Sequence, residues 1–266
     1  MSLDIVQVDA FSDRAFTGNP AAVCILRDGS VLQDWQMQEV AREMNLSETA
    51  FVLPHGDGFD LRWFTPLVEV DLCGHATLAA AHVIWEDERL PPEVPARFHT
   101  RSGVLTAFRE GNWVELDFPA DPVEQVDPPE VLERAFGVRP LWVGRGRHDL
   151  LVELPDEKAV RTLQPNFPVL ATVDARGTIV TSRAVADQFD FVSRFFAPRV
   201  GIPEDPVTGS AHCTLGPFWS DRLGRDTLVG YQVSDRGGTV RVAVDRGDRV
   251  LLAGQAVTVM RGTIFV

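Results

Sequence analysis

Between Leu72 and Trp85 the chain reads Leu-Cys-Gly-His-Ala-Thr-Leu-Ala-Ala-Ala-His-Val-Ile-Trp, and its apolar residues keep to no single helical face. A helix apolar nearly all round has to be buried on every side. No apolar run in the chain reaches the ~18 residues of a membrane span, so the wrapping must come from protein. The run opens on Gly74-His75. The first amides of a helix have no partner within it and carry partial positive charge. A buried helix that opens into a cavity is therefore a seat for a carboxylate. The rest of the chain has to supply walls around this helix and acid/base groups at its mouth.

A length of 266 residues suggests about two domains. The formal net charge of -13 repels phosphate backbones, so nucleic acid is not an expected partner. Met1-Ser2-Leu3-Asp4 lacks the basic and apolar regions of a signal peptide. Cys24, Cys73 and Cys213 are odd in number and widely spaced, which fits a reducing cytoplasm better than a disulfide framework.

Taken in order, residues 3–10 alternate as a strand, Phe16 to Pro20 is turn chemistry, and Ala21 to Leu26 reads as a buried strand closed by a turn at Asp28-Gly29. Residues 31–44 have helical spacing and end near Asn45. Leu61 to Pro66 is a strand stopped by proline, and residues 96–101 and 113–118 are two more. The Pro- and Asp-rich stretch 119–130 is the candidate linker. Beyond it the pattern predicts a helix near 130–136, a strand at 149–154, a helical stretch over 156–171, strands at 179–182 and 190–196, and a strand-dense end from 227 to 266.

The chain echoes itself. Arg62-Trp63-Phe64-Thr65-Pro66 returns as Arg194-Phe195-Phe196-Ala197-Pro198, an offset of 132 residues. Acidic residues follow each copy (Glu69 and Asp71, Glu204 and Asp205), and each then reaches a glycine, a histidine and Thr-Leu. This reads as duplication of one unit, with two buried helices starting at Gly74 and Gly209.

Candidate polar groups are Glu48, His75, Asp205, Ser210 and His212, with Cys73 beside the first glycine. Glu48 lies between a helix end and an apolar strand, where a carboxylate is either a solvated edge group or a desolvated acid/base; taken alone, the solvated reading is the commoner. His82 falls within the helix and reads as structural. Neither Cys73, His75 and His82 nor His212 and Cys213 have a known metal spacing, so no metal is expected. No glycine-rich phosphate loop follows a strand, and Ser210 lacks the Gly-x-Ser-x-Gly setting of a nucleophile. Proton transfer remains: a carboxylate moving a proton on and off carbon while helix N-termini hold an acid substrate.

Four stretches together resemble the PhzF family of phenazine-biosynthesis-like proteins, in family order over residues 1 to about 220. They are Thr17-Gly18-Asn19-Pro20-Ala21-Ala22-Val23, then Asn45-Leu46-Ser47-Glu48-Thr49-Ala50, then Arg62-Trp63-Phe64-Thr65-Pro66 with Cys73-Gly74-His75-Ala76-Thr77, and finally Glu204-Asp205-Pro206-Val207-Thr208-Gly209-Ser210-Ala211-His212. The resemblance implies an α+β, diaminopimelate-epimerase-like fold of two pseudo-symmetric lobes, each a curved, mostly antiparallel sheet wrapped around a central helix, with the site between them. The lobes would be residues 1–122, completed by a C-terminal strand at 257–266, and residues 123–256. It implies a cofactor-independent isomerase working on a small carboxylate-bearing metabolite, as a cytoplasmic homodimer. By motif matching, Glu48 would be the general acid/base. His75 and Asp205 would orient or relay. Gly74, Gly209 and Ser210 would line the substrate, with Cys73 and His212 beside them. Related epimerases use one thiol from each lobe; Cys73 resembles the first, but Thr208 stands at the comparable place in the second. A Cys73-dependent amino-acid epimerase or hydroxy-amino-acid dehydratase, and a non-catalytic metabolite-binding protein, stay as alternatives.

Overall fold

The computed structural model describes residues 2–26, 32–245 and 248–266; the turn expected at Asp28-Gly29 lies outside them. Two compact units divide the chain, one of Met1–Asp117 with Ala253–Val266 and the other of Phe118–Leu252.

In the first unit β1 (Ser2–Ala10) pairs antiparallel with β2 (Asn19–Ile25). The loop between them requires Gly18: its φ is +71°, and a Cβ there would stand 2.2 Å from the Ala10 carbonyl oxygen. Buried Asp9 accepts the Phe16 amide proton at 2.6 Å, which pins this loop and fixes Asn19 at the head of β2. α1 (Asp34–Met44) lays Met37, Val40 and Ala41 against the sheet and ends at Asn45 in a left-handed cap. β3 (Glu48–His55) runs parallel to β2 and antiparallel to β4 (Gly58–Phe64), onto which β5 (Glu69–Val70) folds back. α2 (Gly74–Glu86) is the apolar run, buried along nearly its whole length. β6 (Ala96–Thr100) then lies parallel to β4, followed antiparallel by β7 (Gly103–Glu110) and β8 (Trp113–Pro119).

The second unit repeats this order. β9 (Glu124–Gln125) and α3 (Glu130–Phe136) lead to β10 (Trp142–Arg145), which pairs antiparallel with β11 (Leu150–Glu153). α4 (Glu157–Arg161) and α5 (Phe167–Leu170) are short and precede β12 (Thr178–Arg183), which runs parallel to β11. β13 (Phe191–Ala197) is antiparallel to β12, and β14 (Ile202–Asp205) folds back on it. α6 (Gly209–Leu223) occupies the place of α2; β15 (Thr227–Gln232) lies parallel to β13, with β16 (Gly238–Asp245) antiparallel beside it. After β17 (Arg249–Gly254), β18 (Ala256–Phe265) pairs antiparallel with β1 in the first unit. α2 packs on β1, β2, β3 and β18, and α6 on β15 and β16. Among the described residues no helix is long and apolar enough to cross a membrane.

The repeat is visible in side chains as well. Arg62 grips Glu69 with two hydrogen bonds of 2.7 and 2.8 Å, and its guanidinium lies over the Phe64 ring. Arg194 grips Glu204 with two bonds of 2.7 Å and lies over Phe196. In both units an Arg–carboxylate fork ties the strand to the short returning strand just before the central helix. α6 also contains Pro217, which removes the amide that would bond the Cys213 carbonyl. The Asp121 amide donates to that carbonyl instead, at 3.1 Å.

Three local expectations change. The helical stretch over 156–171 is two short helices, because Pro165 interrupts the pattern and Asn166 starts a new N-cap by accepting the Val169 amide proton. β7 fills residues between the two strands read at 96–101 and 113–118, and β10 precedes the strand read at 149–154. β7 is mostly exposed, so it carries little of the hydrophobic alternation that marks a strand.

Candidate active site

α2 begins at Gly74 with Cys73 as its N-cap, and the Cys73 side chain makes no capping hydrogen bond to the helix. Instead the Thr77 hydroxyl and amide both donate to the Cys73 carbonyl. This turns His75, the second helical residue, toward the head of β3. There His75 Nε2 and Glu48 Oε2 face each other at 3.0 Å. The contact is an ion pair rather than an aligned hydrogen bond; among the described residues neither atom has a hydrogen-bond partner. On the other side of the ring, Nδ1 lies 3.2 Å from Asn19 Nδ2 and 3.6 Å from Cys73 Sγ. Ser47 Oγ donates to Asn19 Oδ1 at 3.0 Å. Glu48, His75, Asn19, Ser47 and Cys73 therefore form one connected group.

Burial pushes the Cys73 thiol up to about 11, reinforced by Glu48 and only partly offset by His75. The positive end of α2 is thus outweighed, and the thiol is neutral near pH 7. For His75, burial acts against the charged ring, but Cys73 and Glu48 together hold its pKa well above the ordinary histidine range. Because the thiol is neutral near pH 7, the upward pull there comes from Glu48.

α6 begins in the same way, with Thr208 as N-cap. His212 Nδ1–H donates to the Thr208 carbonyl at 2.8 Å, the bond that Thr77 makes in α2. Equivalence by helix start therefore matches His75 with Ser210 and His212 with Thr77, although the sequence echo runs histidine to histidine. His212 is fully buried and packs on Phe191, and Gly230 leaves room beside it: a Cβ there would stand 2.4 Å from that ring. Burial lowers its pKa to about 4, so this ring is neutral. Thr208 Oγ1 donates to Asp205 Oδ2 at 2.5 Å. Gln232 braces the turn, accepting the Thr208 amide proton at 2.9 Å and donating to the Asp205 carbonyl at 2.7 Å. Arg176 Nη2 donates to Ser210 Oγ at 3.1 Å. Its guanidinium is held from behind by Asp149, a nearly fully buried carboxylate, through two bonds of 2.5 and 3.0 Å.

Strand registers relate the two settings. Thr49 pairs with Phe64 in the first unit and Thr178 with Phe196 in the second. Glu48 thus corresponds to Gly177, and Ser47 to Arg176. One unit aims an acid at the second residue of its central helix, and the other aims a cation there. The first unit brings Glu48, Cys73, Gly74 and His75 together; the second gathers Asp205, Gly209, Ser210 and His212. Sequence reasoning missed Asn19, Arg176, Asp149 and Gln232. Asn19 stood in a recognised turn motif, but its bond to His75 spans 56 residues.

Donor atoms of Glu48, Cys73 and His75 lie within 4.8 Å of one another, the residue types of a metal site. The ring turns one nitrogen to Glu48 and the other to Cys73.

The α+β fold with a buried helix at the centre of each repeat is epimerase-like. A hydroxyproline epimerase from Agrobacterium vitis, 12% identical, superposes with a TM-score of 0.63 over 99% of this chain and 92% of its own, which shows the shared fold. The phenazine biosynthesis-like family model matches residues 8–262. The chain belongs to that family, PhzF, and stands with its isomerases. It is 51% identical to a protein of Halalkalibacterium halodurans named an uncharacterized isomerase, over the full length of both. A PhzF-family crystal structure from Enterococcus faecalis, 42% identical, superposes with a TM-score of 0.95 over all of both chains.

Proposed function

We propose that this isomerase moves a proton on a small carboxylate-bearing metabolite without a cofactor, with Glu48 as general acid/base. The single observation that carries the reading is the Glu48–His75 pair at the buried start of α2, a carboxylate held against an imidazole. His75 orients Glu48 or relays its proton. Asp205, held by the Thr208 hydroxyl, shapes the start of α6 and serves as a second relay group. Ser210, supported by Arg176, and Gly209 offer donors to a carboxylate, and Gly74 and Cys73 line the wall at α2. The geometry favours a supporting part for His212, which secures Thr208 from beneath. Three buried, unpaired cysteines fit work in a reducing cytoplasm, and the chain is proposed to act as a homodimer.

The test is solvent deuterium uptake. The protein is incubated in deuterium oxide with pooled small amino and hydroxy acids, and mass shifts are followed beside Glu48→Gln. Label should enter one compound and fall by roughly 10²–10⁴-fold in the variant. Label that survives Glu48→Gln would move the acid/base role elsewhere. Cys73 is the runner-up, as the thiol of an epimerase or dehydratase, but a thiol held at about 11 is almost wholly protonated near pH 7, so little thiolate is present to act as the base. Ligand binding with no exchange in either protein would favour a non-catalytic metabolite-binding protein.

A further inference from the structure

Arg176 is fixed at the entry to β12 more firmly than support of Ser210 alone requires. Its backbone is pinned to the start of β11: the Arg176 amide donates to the His148 carbonyl at 2.8 Å, and the Gly177 carbonyl accepts the Leu150 amide proton at 3.0 Å. Its guanidinium is locked on Asp149, and its carbon stands 5.8 Å from the centre of the Phe195 ring. Gly177 makes that ring's position possible, since a Cβ there would stand 2.3 Å from Phe195 Cζ. The position that carries Glu48 in the first unit is thus emptied in the second, and an aromatic ring beneath an arginine fills the space.

The lock leaves one edge of the fork open. Nε–H and both Nη2 hydrogens are spent on Asp149 and Ser210. The two hydrogens on Nη1 have no partner among the described residues, and 42% of the side chain is exposed against 3% for Asp149. Ser210 Oγ accepts from Arg176, so its own proton is left to donate outward. Nη1 and the Ser210 hydroxyl therefore offer donors and no acceptor. A carboxylate has two oxygens that only accept, whereas the NH2 of a carboxamide would find no acceptor there. Charge points the same way. Besides Asp149, the acids acting on the guanidinium are Asp121 and Asp205. Without Arg176, a carboxylate arriving beside Ser210 would meet these acids and lose the cation that balances them.

We propose that Arg176 is a substrate-binding residue that selects for a carboxylate, gripping the acid group through Nη1 together with the Ser210 hydroxyl, while Asp149 and Phe195 hold the guanidinium still. The inference rests on the reading that the substrate bears a carboxylate, and it does not depend on how a proton is moved.

The experiment is nitrogen NMR on the full chain labelled at arginine. The probes are acetate, L-lactate, L-alanine and benzoate, each beside its primary amide, and Arg176→Lys assigns the signals. At least one acid should shift the Arg176 Nη signals, and its amide should not. Arg176→Met should weaken binding of that acid by roughly 10–100-fold and leave the amide nearly unchanged, so that the preference for acid over amide collapses. A merely structural arginine would weaken both or neither. Arg176→Met leaves Asp149 buried without its partner, so the double variant Arg176→Met/Asp149→Leu, which strands no charge, is measured beside it with the same expectation. Acids that leave the Arg176 signals unmoved, or an acid preference that survives these variants, would overturn the inference. The two readings fail separately. Deuterium exchange into a substrate whose acid preference ignores Arg176→Met sinks this inference and spares the isomerase, whereas an acid held by Arg176 with no exchange does the reverse.

Discussion

The starts of α2 and α6 share one backbone plan and differ in which side chains can change charge. In each, a residue four positions after the N-cap donates to the N-cap carbonyl: Thr77 in α2 and His212 in α6. In each, the second helical residue meets a group from the head of the neighbouring strand or from two residues before it: Glu48 on His75, Arg176 on Ser210. The first start is an ionisable pair with Asn19 behind it. The second is a fixed set, with a guanidinium locked on Asp149, a neutral histidine locked on a carbonyl, and Gln232 bracing Thr208. A duplicated scaffold has kept its backbone bonds and changed its side chains, with an ionisable pair at one helix start and permanent donors at the other.

The largest expected contrast concerns the two Arg–Glu forks. Arg194 is nearly buried, and its other nitrogen donates to the Val160 and Leu163 carbonyls. Arg194→Met would strand Glu204 and two carbonyls at once, and should cost ~3–5 kcal/mol. Arg62 is more exposed, and its partner Glu69 also has Arg101 at 2.8 Å. Arg62→Met therefore leaves Glu69 paired and should cost nearer ~1 kcal/mol. Urea unfolding of both variants measures this. Equal losses would mean that the forks are energetically equivalent and that burial does not distinguish the units.

The histidines should respond to pH in opposite directions. His212 has a folded pKa of about 4, below its unfolded value of ~6.5, so below ~6.5 the unfolded state binds the proton more tightly. Its contribution is intact above pH ~6.5 and is lost as pH falls toward the folded value, ~3 kcal/mol in all. The His75 pKa is raised instead. Its stabilising contribution is full below ~6.5 and is lost as pH rises through the folded value. Unfolding free energies at pH 7 and pH 4.5 should show acid sensitivity reduced in His212→Gln and increased in His75→Gln. The same sign in both variants would contradict the division of roles.

Much of this plan was legible in the chain. The apolar run of α2 has no polar face, and only burial accommodates it. The Arg-aromatic echo located the forks because both partners lie within a few residues of each other in sequence. Glu48 was legible only in company, since a lone carboxylate at a strand head is ordinary. What could not be read were the bonds that span long separations: Asn19 to His75, Arg176 to Ser210, Gln232 to Thr208. None has a local spacing. The echo itself misled at one point: it set His75 against His212, whereas the hydrogen bonds at the helix starts set His75 against Ser210 and Thr77 against His212.

The smallest expected effect sharpens the comparison most, because it concerns the N-caps themselves. Thr208→Val removes a hydroxyl that donates to Asp205 and is replaced by a side chain of similar shape. It should cost ~1.5–3 kcal/mol, the loss of one hydrogen bond to a charged group. Cys73→Ala removes a neutral thiol whose sulfur lies 3.6 Å from His75 Nδ1, and should cost about 1 kcal/mol or less. Unfolding gives these numbers, while the deuterium experiment gives the chemistry. Exchange should survive Cys73→Ala, because Glu48, His75, Asn19 and Ser47 keep their contacts without the sulfur. The folded protein should also react slowly with iodoacetamide at pH 7.5, since a thiol held at about 11 by burial is almost wholly protonated there. Rapid alkylation together with loss of exchange in Cys73→Ala would reverse the assignment: the base would be the thiol at the N-cap, and Glu48 would be the group that tunes it through His75.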